Sequence, residues 1–354
     1  MLKYDIAIVG GGILGSTIAR ELISNYPELT VAIIDKKISG AGASFYSAGV
    51  HFPRGGSERV RKMSAYSHEY YQPLIKGGAP IYPLMMELIT ESHNLPQVEK
   101  KYLPRVAFHH VENCSSDMIN LNAAAGDDLR VLKGSGANYA NVFALVNYYM
   151  QQLREKIDYL EGTEVEAIER EGQDYRLSLR SGVNIQARQA IVVPGPWITH
   201  PLSRKALSAS GLRVKKIVAA HINVKPAKQA PLVVFDEEDA FLLPCHHRKQ
   251  WLFSYTCKEW DVDPEAIRPL TPADLADARE TLAKYAPALA DQIHDGRVFC
   301  DAYSPGSEPT VIRAKDGVIY AAGCNGSGYR LAPAIAVEVI QLIPHLSGLE
   351  NKTW

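Results

Sequence analysis

The sequence predicts an α/β protein, α+β overall. An open parallel sheet is assembled from separated stretches of chain, and a mostly antiparallel sheet is inserted between them. Three observations carry this. Two short apolar runs, Ile6–Val9 and Val31–Ile34, bracket a glycine-rich loop and an amphipathic segment. The same order of apolar run, glycine loop and helix returns near the C-terminus in "GVIYAAGCNGSGYRLAPAIAVEVIQLI". Between them lie stretches of strand-like alternation with no simple linker.

The N-terminal unit is the most explicit. After the first run come Gly10, Gly12 and Gly15 at GxGxxG spacing, then "STIARELI", which places Ile18, Leu22 and Ile23 on one helical face. The second run ends in Asp35, followed by Lys36. Each piece has a physical job in a dinucleotide site. Gly10 permits the tight turn, Gly12 lets backbone approach a pyrophosphate, and Gly15 lets helix and strand pack closely. The helix start at Ile13 and Leu14 offers free N–H groups and a partial positive charge to phosphate. Asp35 can accept both hydroxyls of an adenosine ribose, and its charge disfavours a 2′-phosphate.

The remainder decides between nicotinamide and flavin. The segment after Asp35, "KKISGAGASFYSAGVHFPRGG", is small and glycine-rich, where a nicotinamide domain would continue with strands and helices. Val142 to Ile157 reads as an amphipathic helix with Val142, Leu145, Val146, Tyr149 and Leu153 on one face. Three strands follow: one around Val165, then a hairpin pair across Ser181–Gly182 that runs into Pro194-Gly195-Pro196-Trp197. In the last helix Leu331, Ile335, Val339 and Leu342 share a face. Two helix starts with glycine approaches suit a ligand with two distant polar parts, a pyrophosphate and a flavin pyrimidine edge.

With these motifs in order, "IVGGGILG…IIDK", "GASFYSAGV", "GTEVEAIE", "AIVVPGPW" and "AAGCNGSGYRLAPA", the chain resembles the D-amino acid oxidase superfamily of FAD enzymes, which includes glycine oxidase, sarcosine oxidase and D-amino acid dehydrogenases. The motifs spread from Ile8 to Ala334. The resemblance implies a discontinuous Rossmann-like FAD-binding domain (1–73, 139–211 and 305–354) and an inserted, mostly antiparallel substrate-binding domain (74–138 and 212–304). It implies that Val165 contacts adenine and that the loop carrying Ala43, Ser44, Ser47, Ala48 and Gly49 approaches pyrophosphate and flavin. It also places Gly326, Gly328, Tyr329, Arg330 and Leu331 at the flavin pyrimidine, with Pro194, Gly195 and Trp197 along the cofactor. FAD is expected to be non-covalent. Some relatives attach it through a cysteine in a "CxYT" element; here "CDAYS", with Cys300, is one residue longer.

Oxidation of an amine by flavin asks for a neutral amine, an α-hydrogen over flavin N5 and fixed positive charge for any carboxylate. Arg330 stands where sarcosine-oxidase-like relatives carry a carboxylate-binding base. By the same resemblance Arg59 and Arg61 face flavin and substrate, and His51 contacts one of them. Tyr255 and Tyr303 are expected to cover the substrate. Two departures matter. The "GxRP" arginine of amino acid oxidases is replaced by "FCDAYSPGSEP", leaving Asp301 as a turn residue or an ammonium partner. The lysine that relatives use in oxygen reactivity aligns near Leu252, with Lys249 as its nearest substitute.

Bulk properties fit this reading. The chain has 354 residues, 38 Lys+Arg against 39 Asp+Glu, and a net charge of -1, which argues against a nucleic-acid partner. The five cysteines, Cys114, Cys245, Cys257, Cys300 and Cys324, have no CxxC spacing, as expected of reduced thiols. The paired histidines 109–110 and 246–247 point to opposite faces of a strand, so no metal site is expected. No signal peptide or spanning segment is visible, so a cytoplasmic enzyme is expected. Its reaction would be C–N oxidation of an amino acid or related amine by hydride transfer to flavin N5, giving an imine, with oxygen or another electron acceptor closing the cycle. The alternatives are a 2-hydroxy acid dehydrogenase with His51 as general base, or a flavin-binding protein without turnover.

Overall fold

The computed structural model describes residues 2–121, 128–266, 269–344 and 346. The chain opens with β1 (Leu2–Val9), α1 (Ile13–Asn25) and β2 (Val31–Ile34), the unit expected from the glycine fingerprint. Next come α2 (Ala43–Tyr46), β3 (Val50–His51), α3 (Glu58–Lys76), β4 (Ile81–Glu91), α4 (Leu95–Lys101), β5 (His109–Val111) and β6 (Leu129–Ala140). Ser57 caps α3 by accepting from the Val60 amide at 3.2 Å. The chain returns through α5 (Val142–Leu153), β7 (Ile157–Leu160), β8 (Val165–Glu171), β9 (Asp174–Leu179), β10 (Asn184–Val192) and α6 (Pro201–Leu207). It leaves again through β11 (Arg213–Ile222), β12 (Leu232–Phe235), β13 (Ala240–Cys245), β14 (Gln250–Tyr255), α7 (Pro272–Ala283), α8 (Pro287–Ala290) and β15 (Ile293–Tyr303). Helix α7 starts with the full Thr271–Asp274 capping box. The chain closes with β16 (Thr310–Arg313), β17 (Ile319–Ala322) and α9 (Gly328–Gln341).

These elements form two sheets. The first has the order β16-β17-β10-β1-β2-β7, with β9 and β8 continuing from β10. Its centre is parallel: β1 pairs with β2 and β10, β10 with β17, and β2 with β7. The second has the order β15-β11-β14-β13-β12-β4-β6-β3, with β5 on β6. It is antiparallel except for the β12–β4 pair. One expectation needs correcting. Ile157 continues the helical spacing of α5, but the helix ends at Leu153 and Ile157 opens an edge strand paired with Val31. The open edge of β2 has backbone groups to satisfy, and pairing there outweighs local helical period.

Helix α9 packs against both α1 and α3, burying Leu331, Ile335 and Val339 with Ile18, Leu22 and Ile23 of α1. Each such side chain contributes about 1.5–3 kcal/mol on burial. Pro333 lies inside α9 and has no N–H for the Tyr329 carbonyl. Tyr71 of α3 takes over: its hydroxyl donates to that carbonyl at 2.5 Å, and the two rings stack at 4.7 Å. Arg59, one residue into α3, is committed to the same packing. It forks onto Glu338 of α9 at 2.7–3.0 Å and reaches Glu308 at 3.1 Å. Its expected place beside a ligand is therefore overturned by the face of α3 on which it falls.

Two consequences are testable. A Cβ on Gly15 would lie 2.0 Å from the carbonyl oxygen of Gly10, so Gly15→Ala should force α1 off the turn and cost about 1–3 kcal/mol in denaturant unfolding. Arg59→Gln should cost about 1.5–3 kcal/mol in the same measurement, by stripping the charged partner from Glu338. If Arg59 served a ligand instead, the variant would keep its stability and lose ligand.

Candidate functional site

A cleft runs along the ends of the first sheet and under the second, enclosing 2320 Å³ including its open mouth. One end is built by the β1–α1 turn. Gly10, Gly12, Ile13, Leu14 and Gly15 line it together with Asp35 and Lys36 at the end of β2. Gly10 has φ 112°, and a Cβ there would meet the Val193 carbonyl oxygen at 2.4 Å, so backbone alone can form this wall. Asp35 holds the turn in place. Its carboxylate accepts from the Gly11 amide at 2.7 Å and the Lys37 amide at 2.8 Å. Burial raises its pKa, against the pull of those amides. Each carboxylate oxygen keeps a further lone pair. Val165, Pro194, Gly195 and Trp197 line the same end. Trp197 is covered by the Lys36 ammonium 4.5 Å from its ring centre, and both residues bond Glu265.

The middle is the loop around α2. Ala43, Ser44, Ser47, Ala48 and Gly49 all line the cleft, and Ser44 Oγ accepts from the Ile13 amide at 2.9 Å. The far end is the turn before α9, where Gly326, Gly328, Tyr329 and Arg330 line the wall. Tyr329 donates to Asn138 of β6 at 2.7 Å, tying this turn to the second sheet. Arg330 donates to Ser327 Oγ at 2.6 Å and to the Arg54 carbonyl at 3.3 Å. No carboxylate of the described residues lies within 4.0 Å of it, and its Nε has no partner. Burial, then the neighbouring Arg54, push its pKa down to about 9, which leaves it a cation at neutral pH.

Tyr255 and Tyr303 both line the cleft, from β14 and β15. Tyr255 donates to the Asp274 carbonyl at 3.2 Å. Asp301 lines the cleft too, and it is a strand residue rather than a turn residue. Its carboxylate accepts from the Ala302 and Gly326 amides at 2.8 and 2.9 Å. Burial nevertheless pushes it up to about 6.

Four expected residues are not on the cleft wall. Val50 and Phe52 face it, so His51 between them faces the other way, as strand alternation requires. It is fully buried between His68 and Tyr71, and burial with the charge of Arg330 holds its imidazole neutral. Arg59 is the helix-packing residue described above. Arg61 turns back to the Gly55 carbonyl at 3.3 Å. Leu331 packs in the helical core, 1% exposed. Cys300 likewise points into the core, with burial pushing its thiol up to about 12, so the cleft offers no Cys300 nucleophile. Leu252 is buried, and Lys249 sits in an exposed left-handed turn; neither lines the cleft. Sequence reasoning missed Lys215. Strand alternation in "RVKKIVAAH" was the available signal, but which face meets the cleft depends on pairing with β15.

The glycine walls, the acid at the end of β2 and the two helix starts fit a long dinucleotide with a second polar ring. The comparisons agree. Residues 5–342 match the family described as FAD dependent oxidoreductase (DAO). The fold is similar to glycine oxidase from Geobacillus kaustophilus, with TM-score 0.78 and 17% identity over 97% of this chain and 95% of that one. It is similar to L-proline dehydrogenase from P. horikoshii, with TM-score 0.77 and 19% identity over 97% and 94%. A short stretch is 41% identical to the mitochondrial L-2-hydroxyglutarate dehydrogenase of Caenorhabditis elegans, over 59 residues. That stretch covers 15% of this chain and only 14% of the relative's length. Among the described residues no helix is long and apolar enough to cross a membrane. With the family matched from the first strand to the last helix, the chain belongs to the DAO family of FAD-dependent oxidoreductases.

Proposed function

We propose that the protein oxidises the C–N bond of an amino acid or related amine. The observation that carries this is Arg330: a buried guanidinium on the cleft wall with no carboxylate partner among the described residues, at the turn that begins α9. A buried cation without a counter-charge is costly, and a substrate carboxylate offsets that cost. The names of the structural neighbours, glycine oxidase, L-proline dehydrogenase and iminodiacetate oxidase, favour an amine carrying an acid. Segments 1–73, 139–211 and 305–354 would serve the cofactor, and 74–138 and 212–304 the substrate.

The chain's own residues would divide the work as follows. The turn from Gly10 to Gly15 and the start of α1 hold the pyrophosphate; Asp35 holds the adenosine ribose; the Val165 backbone meets the adenine. The Ala43–Gly49 loop and the Gly326–Tyr329 turn bracket the ring system. When bound there, FAD supplies the two-electron acceptor, and the substrate leaves as an imine that water hydrolyses. Arg330 orients the carboxylate so that the reacting carbon meets the ring. Asp301, ionised above about pH 6, takes the proton that an arriving ammonium must lose. The groups facing Asp301 are the Ala302 and Gly326 amides, with Lys215 and Tyr303 on the same wall. Tyr255 and Tyr303 exclude water from the reacting end.

A second reading, oxidation of a 2-hydroxy acid, is favoured by the short match to L-2-hydroxyglutarate dehydrogenase. It needs a base, and with His51 facing away from the cleft that role would fall to Asp301.

The direct test is anaerobic addition of D- and L-amino acids, N-methyl amino acids and 2-hydroxy acids to the FAD-loaded protein. Bleaching by an amine and not by the hydroxy acids is the expected result; the converse pattern supports the second reading, and no bleaching leaves a flavin binder. Readmitted air then separates oxygen from another acceptor by the speed of recolouring. Arg330→Met should lower kcat/KM about 10- to 100-fold for a carboxylate-bearing amine, chiefly through KM. The rate should fall as pH drops below about 6, because protonated Asp301 accepts no proton. Asp301→Asn should flatten that limb and slow turnover at neutral pH by about 100-fold.

A further inference from the structure

The cleft carries more positive charge than one carboxylate needs. Arg54 lies 4.0 Å from Asp236 and 3.8 Å from Asp239. Lys36 pairs with Glu265, and Lys216 with Glu259 and Asp274 at 2.9 Å. Lys37 is exposed beside Trp197. Among the described residues, two cations on the wall that are not exposed have no such partner. One is Arg330. The other is Lys215, which is 9% exposed and whose ammonium makes no hydrogen bond or ion pair with the described residues. Its Nζ lies 5.1 Å from the centre of the Trp260 ring and 5.3 Å from that of Tyr303. Aromatic faces attract an ammonium, but they do not neutralise it.

The sheet explains why Lys215 faces the cleft. Lys215, Ile217 and Ala219 alternate along β11 on the wall; Lys216 touches the wall too, but its ammonium is held by Glu259 and Asp274. Lys215 stands opposite Asp301 in the β11–β15 register, and Phe299, Asp301 and Tyr303 share that wall from β15. Yet Lys215 does not serve Asp301. The two are not within ion-pair distance; each Asp301 oxygen accepts one backbone amide and keeps a lone pair for a proton. The wall then continues to Arg330. The Tyr303 hydroxyl is 3.0 Å from where a Cβ on Gly326 would stand, and Ser327 bonds Arg330.

We propose that Lys215 is a second anion anchor, and that the substrate is an amine bearing two acidic groups, one held by Arg330 and one by Lys215. This deepens the amine-oxidation reading and rests on it for the chemistry, while the anchor itself can be tested without turnover. A monoanionic amine would leave Lys215 without a counter-charge on the cleft wall. A second acid offsets its charge and fixes the direction in which the substrate enters.

The test uses the FAD-loaded protein and inert probes. Succinate, glutarate and adipate, with butyrate as the monoacid, are titrated against the absorbance of the bound flavin. At least one diacid should bind about 10- to 100-fold tighter than butyrate, the range for one charge-assisted contact. Lys215→Met should erase that preference and leave the Kd of butyrate and of FAD unchanged; Lys215→Arg should retain it. Diacids that bind no tighter than butyrate would overturn the proposal. So would a Lys215→Met protein that loses FAD instead, since the lysine would then belong to the cofactor. A protein that prefers diacids through Lys215 but is bleached by no amine would sustain the anchor and sink the oxidation reading.

Discussion

A single added carbon on Gly15 would stand 2.0 Å from the carbonyl oxygen of Gly10. That close approach of α1 to the end of β1 is the constraint from which the rest of the site follows. It brings the start of α1 to the cleft, with Ile13, Leu14 and Gly15 on its wall. It sets Asp35 where one carboxylate can tie the Gly11 amide to the end of β2. It also sets the line of α1, against which α9 packs, so the turn before α9 arrives at the other end of the same cleft.

That second turn is fixed by polar contacts that cross between the layers. Tyr71 answers the carbonyl that Pro333 leaves free, Tyr329 donates to Asn138 of the second sheet, and Asp301 of β15 accepts the Gly326 amide. Parallel sheet, helical layer and antiparallel sheet therefore converge on one six-residue stretch, Asn325–Arg330. The chemistry assigned to the site needs that rigidity. A carboxylate anchor positions a reacting carbon only if the anchor does not move relative to the ring it faces.

What could be read in the sequence was whatever is local. The first strand–turn–helix–strand unit, the hairpin across Ser181–Gly182, the capping box at Thr271 and the last glycine turn are each specified by neighbouring residues. Arg330 was visible because it is part of such a turn. What escaped depends on pairing between distant segments. His51 faces away from the cleft because a two-residue strand aligns it with Asn138. Ile157 leaves its helix because β2 has an open edge. Lys215 and Asp301 share a wall only through the register of β11 with β15. Arg59 looked like a site residue because its segment resembles one beside the flavin in relatives and follows the cleft loop, whereas its partner Glu338 lies far along the chain. Charge in a sequence marks a place where something must be paired; the fold decides with what.

The most direct measurement is a crystal structure of the FAD-loaded protein. The account predicts the pyrophosphate on the amides at the start of α1 and the edge of the flavin ring at the Gly326–Tyr329 turn. Arg330 and Lys215 should remain uncovered, beside open space next to the ring. A ring lying away from that turn, or a pyrophosphate resting on Arg330 or Lys215, would contradict it.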